Sequence, residues 1–129
     1  MRESKELLSK LTSAAGVRAA AVICGDGTLL DRFHIDPEDE DVFSRASLIA
    51  LRLSESLGSY RDMQAFVQMW IQFEGGLIVV HRICSGRLLF VVADGSAQIG
   101  MLRHRLQKAQ PELAETYGEV PPVQADEVV

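Results

Sequence analysis

The sequence predicts an α/β fold of the α+β sandwich kind, and three observations predict it. Residues 16–33 read as a β-hairpin folded about Gly25-Asp26-Gly27, because a tight turn needs backbone that tolerates positive φ. Apolar residues on either side of that hairpin recur at three- and four-residue spacing, the period of a helix with one buried face. Three further strand-like runs follow, with Glu74-Gly75-Gly76 and Ser85-Gly86 as the turns between them. The predicted order is helix, strand, strand, helix, strand, strand, strand, helix.

Each element has its own warrant. Residues 3–15 set Leu7, Leu8, Leu11, Ala14 and Ala15 at helical spacing, and Gly16 stops the helix. The first strand, 17–24, contains three consecutive alanines, whose small side chains leave room for an element packed close above. Residues 28–33 return from the turn. In 36–41, Asp36 is expected to cap a helix, Pro37 to take its first position, and the acids after it to face the positive end of the dipole. The glycine and ligand spacing of a calcium loop are missing there.

The second helix, 38–57, has two faces of interest. At about 100° per residue, Val42, Phe43, Ala46, Ile49, Ala50, Leu53 and Leu57 share an arc roughly 120° wide, the expected sheet-facing side. Opposite lie Ser44, Ser47, Leu48, Leu51 and Ser54, with Arg45 and Arg52 on a flank. Leucines among small residues on an outward face suit contact with a partner, most simply a second copy across a two-fold axis. Leu48→Glu or Leu51→Glu is expected to leave the monomer folded and weaken that contact.

Residues 62–73 read as a long strand, with Met63, Ala65, Val67, Met69, Ile71 and Phe73 on the core side. Phe66 and Trp70 point the other way among glutamines, where large aromatics fit a protein contact. The runs 77–84 and 87–93, rich in Val, Ile and Leu, read as central strands. Ile99, Leu102, Leu106 and Ala109 form the stripe of a last helix whose Arg103, His104, Arg105 and Lys108 lie toward its negative end. The pattern weakens after Pro111, so the domain is placed at 1–112 and 113–129 is expected to be a flexible acidic tail.

Composition narrows the function classes. A chain of 129 residues, 47% apolar, can bury a core without covalent staples. A net charge of -5 argues against a nucleic-acid partner, which would call for a basic surface. The uncharged apolar runs at 19–24 and 77–80 are too short to span a bilayer, and the first residues lack the apolar centre of a signal peptide. Cys24 and Cys84 do not make a disulfide framework, so a cytoplasmic chain with reduced thiols and no membrane insertion is expected.

Chemistry is absent from the motifs. Lysines occur only at 5, 10 and 108, and none stands in the Gly-x-x-x-x-Gly-Lys-Ser/Thr phosphate loop. No Gly-x-Ser-x-Gly elbow occurs, and His34, His81 and His104 show no ligand spacing. No catalytic residue, cofactor or metal is predicted.

Over about residues 4–110 the chain resembles the roadblock/LC7 family. The resemblance rests on the helix closed by Gly16-Val17, the run Ala19-Ala-Ala-Val-Ile23 before Asp26-Gly27, and the acid-opened second helix. It rests also on the long third strand, and on Gly86-x-Leu88-x3-Val92 followed by Ile99-Gly100-x-Leu102-Arg103. It implies a profilin-like, five-stranded antiparallel sheet with the second helix on one face and the terminal helices on the other. It also implies a non-catalytic homodimer or heterodimer, built on the second helix and third strand, that binds and regulates a Ras-like small GTPase. A bacterial member suits this acidic, cysteine-poor chain best. Arg45, Leu48, Leu51, Arg52, Phe66 and Trp70 are the expected dimer or partner contacts. The rival reading is a small-molecule sensor of GAF-like topology, which needs a loop or inserted helix to roof a pocket. The tight turns at 74–76 and 85–86 leave no such insert.

Overall fold

The computed structural model describes residues 2–118. Its elements are α1 (Arg2–Thr12), β1 (Val17–Cys24), β2 (Leu29–Phe33), α2 (Glu40–Gly58), β3 (Gln68–Phe73), β4 (Gly76–Cys84), β5 (Arg87–Ala93) and α3 (Ile99–Tyr117). The strands form one antiparallel sheet in the order β2-β1-β5-β4-β3. This is the predicted architecture, with α2 on one face and α1 and α3 on the other.

Strand alternation builds the two cores. Ala20, Val22, Val79, Leu89 and Val91 point to one face, where Leu7, Leu8 and Leu11 of α1 and Leu102, Leu106 and Leu113 of α3 close over them. Ala19, Ala21, Ile23, Val80, Leu88 and Phe90 point to the other, under Ala50 and the half-buried Phe43, Ala46 and Leu51 of α2. β5 pairs on both sides and carries four buried residues in a row, Leu88 to Val91, as a central strand covered on both faces must.

Turns fix how the layers meet. Gly16 has φ +85°, and a Cβ there would lie 2.5 Å from the Ala97 backbone nitrogen. Its carbonyl accepts the Asp94 N–H at 2.8 Å, tying the start of β1 to the loop before α3. The Asp94 carboxylate accepts from the Ser96 hydroxyl (2.6 Å) and Ser96 N–H (2.9 Å), and from Arg18 Nε (2.7 Å). Those Ser96 bonds, with Arg18 adding to them, hold the carboxyl below its usual range.

The sheet's two edges differ. On β2, Asp31 and Arg32 interrupt the apolar residues, and Asp31 accepts the Tyr117 hydroxyl of α3 at 2.7 Å. The outer strand at the other end, β3, has the sequence Gln-Met-Trp-Ile-Gln-Phe and carries no charge.

Three details depart from the sequence reading. Asp36 is extended and makes no side-chain capping bond; Pro37–Asp39 form a 3-10 turn leading into α2. The strand expected over 62–73 begins at Gln68. Before it, Arg61, Asp62 and Gln64 all take left-handed backbone conformations (φ 53°, 56° and 68°) that no strand contains. Gln64 N–H then donates to the Gly58 carbonyl at 2.9 Å, reversing the chain after α2. Lastly, α3 runs through Pro111 to Tyr117, so the boundary placed at 112 falls inside a helix. Proline in a helix interior costs about 3 kcal/mol, and burial of Leu113 and Tyr117 against α1 and the sheet offsets it. The rest of the expected tail, 119–129, lies outside the described residues.

Removing three carbons at the fully buried Leu106, in Leu106→Ala, is expected to lower the unfolding free energy by about 2–5 kcal/mol. Gly16→Ala, strained in φ and crowded against Ala97, is expected to cost more than about 1 kcal/mol. Urea denaturation of the two variants checks both.

Candidate protein-interaction surface

The site is built from the way α2 sits on the sheet. The β1 residues beneath it, Ala19 and Ala21, are small and almost wholly buried. α2 meets them with its own small residues: Ser47 is fully buried and Ala50 nearly so. Ser47 Oγ donates to the Ser44 carbonyl at 2.7 Å, so its burial leaves no unpaired hydroxyl. Small against small lets helix and strand approach closely, and this sets the helix rotation.

That rotation turns half of the expected core arc outward. Phe43 and Ala50 of the arc face the sheet, but Val42, Ile49, Leu53 and Leu57 are 55%, 67%, 46% and 53% exposed. The side expected to face outward contributes Ser47 and Leu51 to the core instead. The four exposed side chains form a stripe along the helix. A fully exposed side chain of this size forgoes about 1.5–3 kcal/mol of burial.

The apolar surface continues beyond α2. Tyr60, Met63 and Val67, in the connection to β3, are all exposed. Along β3, Met69 packs into the α2-side core, and Ile71 and Phe73 follow it at two-residue spacing on the same face, both exposed. Since β3 is the last strand of the sheet, its outer backbone edge is unpaired.

The residues expected as contacts fall into two groups. Arg45, Leu48 and Arg52 are exposed on α2, flanking the stripe. Leu51 is half-buried in the α2-side core, with its Cδ1 against the Gly25 turn. Phe66 is half-buried in the same core. Trp70 packs against the opposite core, where Arg103 of α3 lies over its ring at 5.1 Å. Phe66 and Trp70 therefore occupy opposite faces, because the regular alternation begins only at Gln68.

Beneath Trp70 is a half-buried polar relay, centred on the buried His81, that the sequence reading did not identify. Trp70 Nε1–H donates to Gln68 Oε1 at 3.0 Å, and Gln68 Nε2 lies 3.1 Å from His81 Nδ1. His81 Nε2 meets Gln110 Oε1 at 2.5 Å, and Gln110 Nε2 donates to the Ile83 carbonyl at 2.7 Å. That carbonyl sits where the β4–β5 register slips between Arg82 and Cys84. Burial lowers the His81 pKa below its ordinary value, and the bond to Gln110 partly opposes the shift.

Other chemistry is sparse. Cys24 and Cys84 are free, half-buried, and paired across the sheet with opposite sides of Arg87. Burial pushes the Cys24 thiol up, with Arg87 opposing, which disfavours the reactive thiolate. Among the described residues no group of three His, Cys, Asp or Glu side chains is gathered for a metal ion, and no helix is long and apolar enough to cross a membrane. The groove of about 360 Å³ between α1 and α3 is lined largely by Glu6, Lys10, Glu112 and Glu115.

The roadblock/LC7 domain model matches residues 3–93. The chain belongs to the roadblock/LC7 family. Solved structures agree on the fold. MglB of Myxococcus xanthus superposes with a TM-score of 0.80 at 16% identity, covering 92% of this chain and 97% of that one. A roadblock/LC7 domain from Streptomyces avermitilis gives 0.77 at 20% identity, covering 87% and 94%. An MglB described as having a tetrameric arrangement gives 0.79 at 20% identity, covering 88% and 87%. A comparison with curated proteins finds no significant sequence match. Roadblock/LC7 domains are non-catalytic regulatory domains, so this roadblock/LC7 protein is a protein-interaction module and not an enzyme.

The rotation of α2 separates two substitutions. Leu51→Glu, which buries a charge against the hairpin turn, is expected to cost the folded monomer about 1–3 kcal/mol at any protein concentration, whereas Ile49→Glu changes the monomer's own stability by no more than about 0.5 kcal/mol, any further loss varying with concentration. Urea unfolding, followed by far-UV circular dichroism, distinguishes them.

Proposed function

We propose that this roadblock/LC7 domain is a homodimeric platform, in the cytoplasm of a bacterium, that binds and regulates a Ras-like small GTPase. The observation that carries the reading is the stripe Val42, Ile49, Leu53 and Leu57, open on the same face as the uncharged edge β3. A second copy supplies both things this surface lacks: apolar cover for the helix and a backbone ladder for the strand. Pairing edge to edge and helix to helix is self-complementary, the property a two-fold interface requires.

The GTPase contact follows from the dimer. Paired α2 helices present their flanks side by side, and Arg45, Leu48 and Arg52 stand on those flanks. Leu51, Phe66 and Trp70 are occupied in packing and receive no partner role. A platform shifts a GTPase between nucleotide states only by binding one of them more tightly. The regulatory content is therefore a difference in affinity. The tetrameric arrangement described for an MglB of the same fold supports self-association as the working state.

Light scattering tests the dimer. Wild-type protein is expected at twice its 14.2 kDa chain mass, and Ile49→Glu/Leu53→Glu is expected to run as a folded monomer. A wild-type monomer at high micromolar concentration would remove the platform. For the second half, titration calorimetry with the cognate GTPase is expected to give affinities at least tenfold apart for its GTP and GDP forms. Equal affinities would leave a scaffold and no regulator.

A further inference from the structure

The polarity of the relay through His81 is fixed at both ends. An indole N–H can only donate, so Gln68 must turn Oε1 to Trp70 and its amide nitrogen to His81. A backbone carbonyl can only accept, so Gln110 must turn its nitrogen to Ile83 and Oε1 to His81. Between them, His81 has one assignment left: Nδ1 accepts, Nε2–H donates, and the ring is neutral. A second proton on Nδ1 would set two donors face to face. Flipping Gln68 to relieve that pair would instead confront Trp70 Nε1–H with an amide nitrogen. No arrangement of these side chains keeps every bond once His81 is charged.

We propose that this relay is a proton-sensitive latch that holds the edge strand β3 to α3 and opens when His81 is protonated. The relay runs from β3 through β4 to α3, so breaking it removes the hydrogen-bonded tie between the edge and the layer behind it and leaves only the packing of Trp70 under Arg103. His81 is only 3% exposed, and among the described residues no carboxylate is positioned to accept its charge. Around it stand Gln68 on β3, the apolar Leu89 opposite on β5, and Gln107 and Gln110 on α3. The nearby charged groups are cations: Arg103 over the Trp70 ring and Arg82 next along β4. A cleft of about 310 Å³ between residues 65–68 and α3 reaches His81 and gives the proton an entry. The backbone entering β3 carries three left-handed non-glycine residues, so the start of the strand depends on side-chain anchorage.

The sign follows from linkage. The native state favours neutral His81, while the unfolded histidine titrates near about 6.5. The contribution of the latch is complete above that pH and is lost as pH falls toward the depressed native value. Its effect on self-association rests on the β3 dimer proposed above.

Trp70 is the only tryptophan of the chain and sits in the latch, so it reports directly. Its indole N–H resonance and fluorescence are expected to move between pH 7.5 and 5.0 with a midpoint below 6.5. The change should persist in His34→Gln/His104→Gln and vanish in His81→Gln, which can accept and donate in the same sense but cannot take a proton. Sedimentation should show the wild-type dimer weakening at least tenfold over the same range. A Trp70 signal flat across that range in wild-type protein, or identical in wild type and a folded His81→Gln, overturns the latch. A Trp70 transition that tracks His81 in a protein monomeric at every pH supports the latch and removes the dimer instead.

Discussion

The close approach of α2 to β1 is the contact on which the rest of the surface depends. Ala19 and Ala21 below and Ser47 and Ala50 above leave little between the two backbones. A larger residue at any of these positions would lift or roll the helix. Because the small residues face inward, the bulky aliphatics at 42, 49, 53 and 57 are carried outward. The interior is thus made from the less hydrophobic half of the helix, and the more hydrophobic half is left at the surface. A helix selected only for the stability of the monomer would be arranged the other way round.

The opposite layer follows a different rule. There, Leu7, Leu8 and Leu11 of α1 and Leu102, Leu106 and Leu113 of α3 bury full-sized side chains over Val79, Leu89 and Val91. That layer buries the larger cluster of full-sized side chains, while the α2 side leaves part of its apolar surface open. The relay through His81 is the polar exception, placed where β4 slips its register and α3 supplies Gln110 to the freed carbonyl. It is also the one side-chain hydrogen-bonded path from β3 to α3 among the described residues.

Much of the fold was legible in the sequence, and the limits have physical causes. β1 was read to the residue because Gly16 and Gly25 bracket an unbroken β-type run. The face of α2 was misjudged because hydrophobic periodicity reports where apolar residues are, not which of them are inside. The readable signal was the match of small residues in α2 to alanines in β1. The start of β3 was misplaced because Arg61, Asp62 and Gln64 adopt a backbone conformation that their side chains do not announce. α3 was stopped at Pro111 by local propensity, which tertiary burial of Leu113 and Tyr117 overrides. The His81 relay joins residues 68, 70, 81 and 110, and only the folded topology brings them together. The glutamines alternating along β3 were its single trace.

The unequal edges of the sheet decide how far assembly can go. At β2 an acid and a base break the apolar run, and the acid is already engaged by Tyr117; such charges are what keep exposed strands from recruiting neighbours. At β3 no charge stands in the way. A sheet with two permissive edges can add copies without end, as fibres do. A sheet with a single permissive edge has a single point of growth, which one pairing would consume, so strand addition would terminate at two.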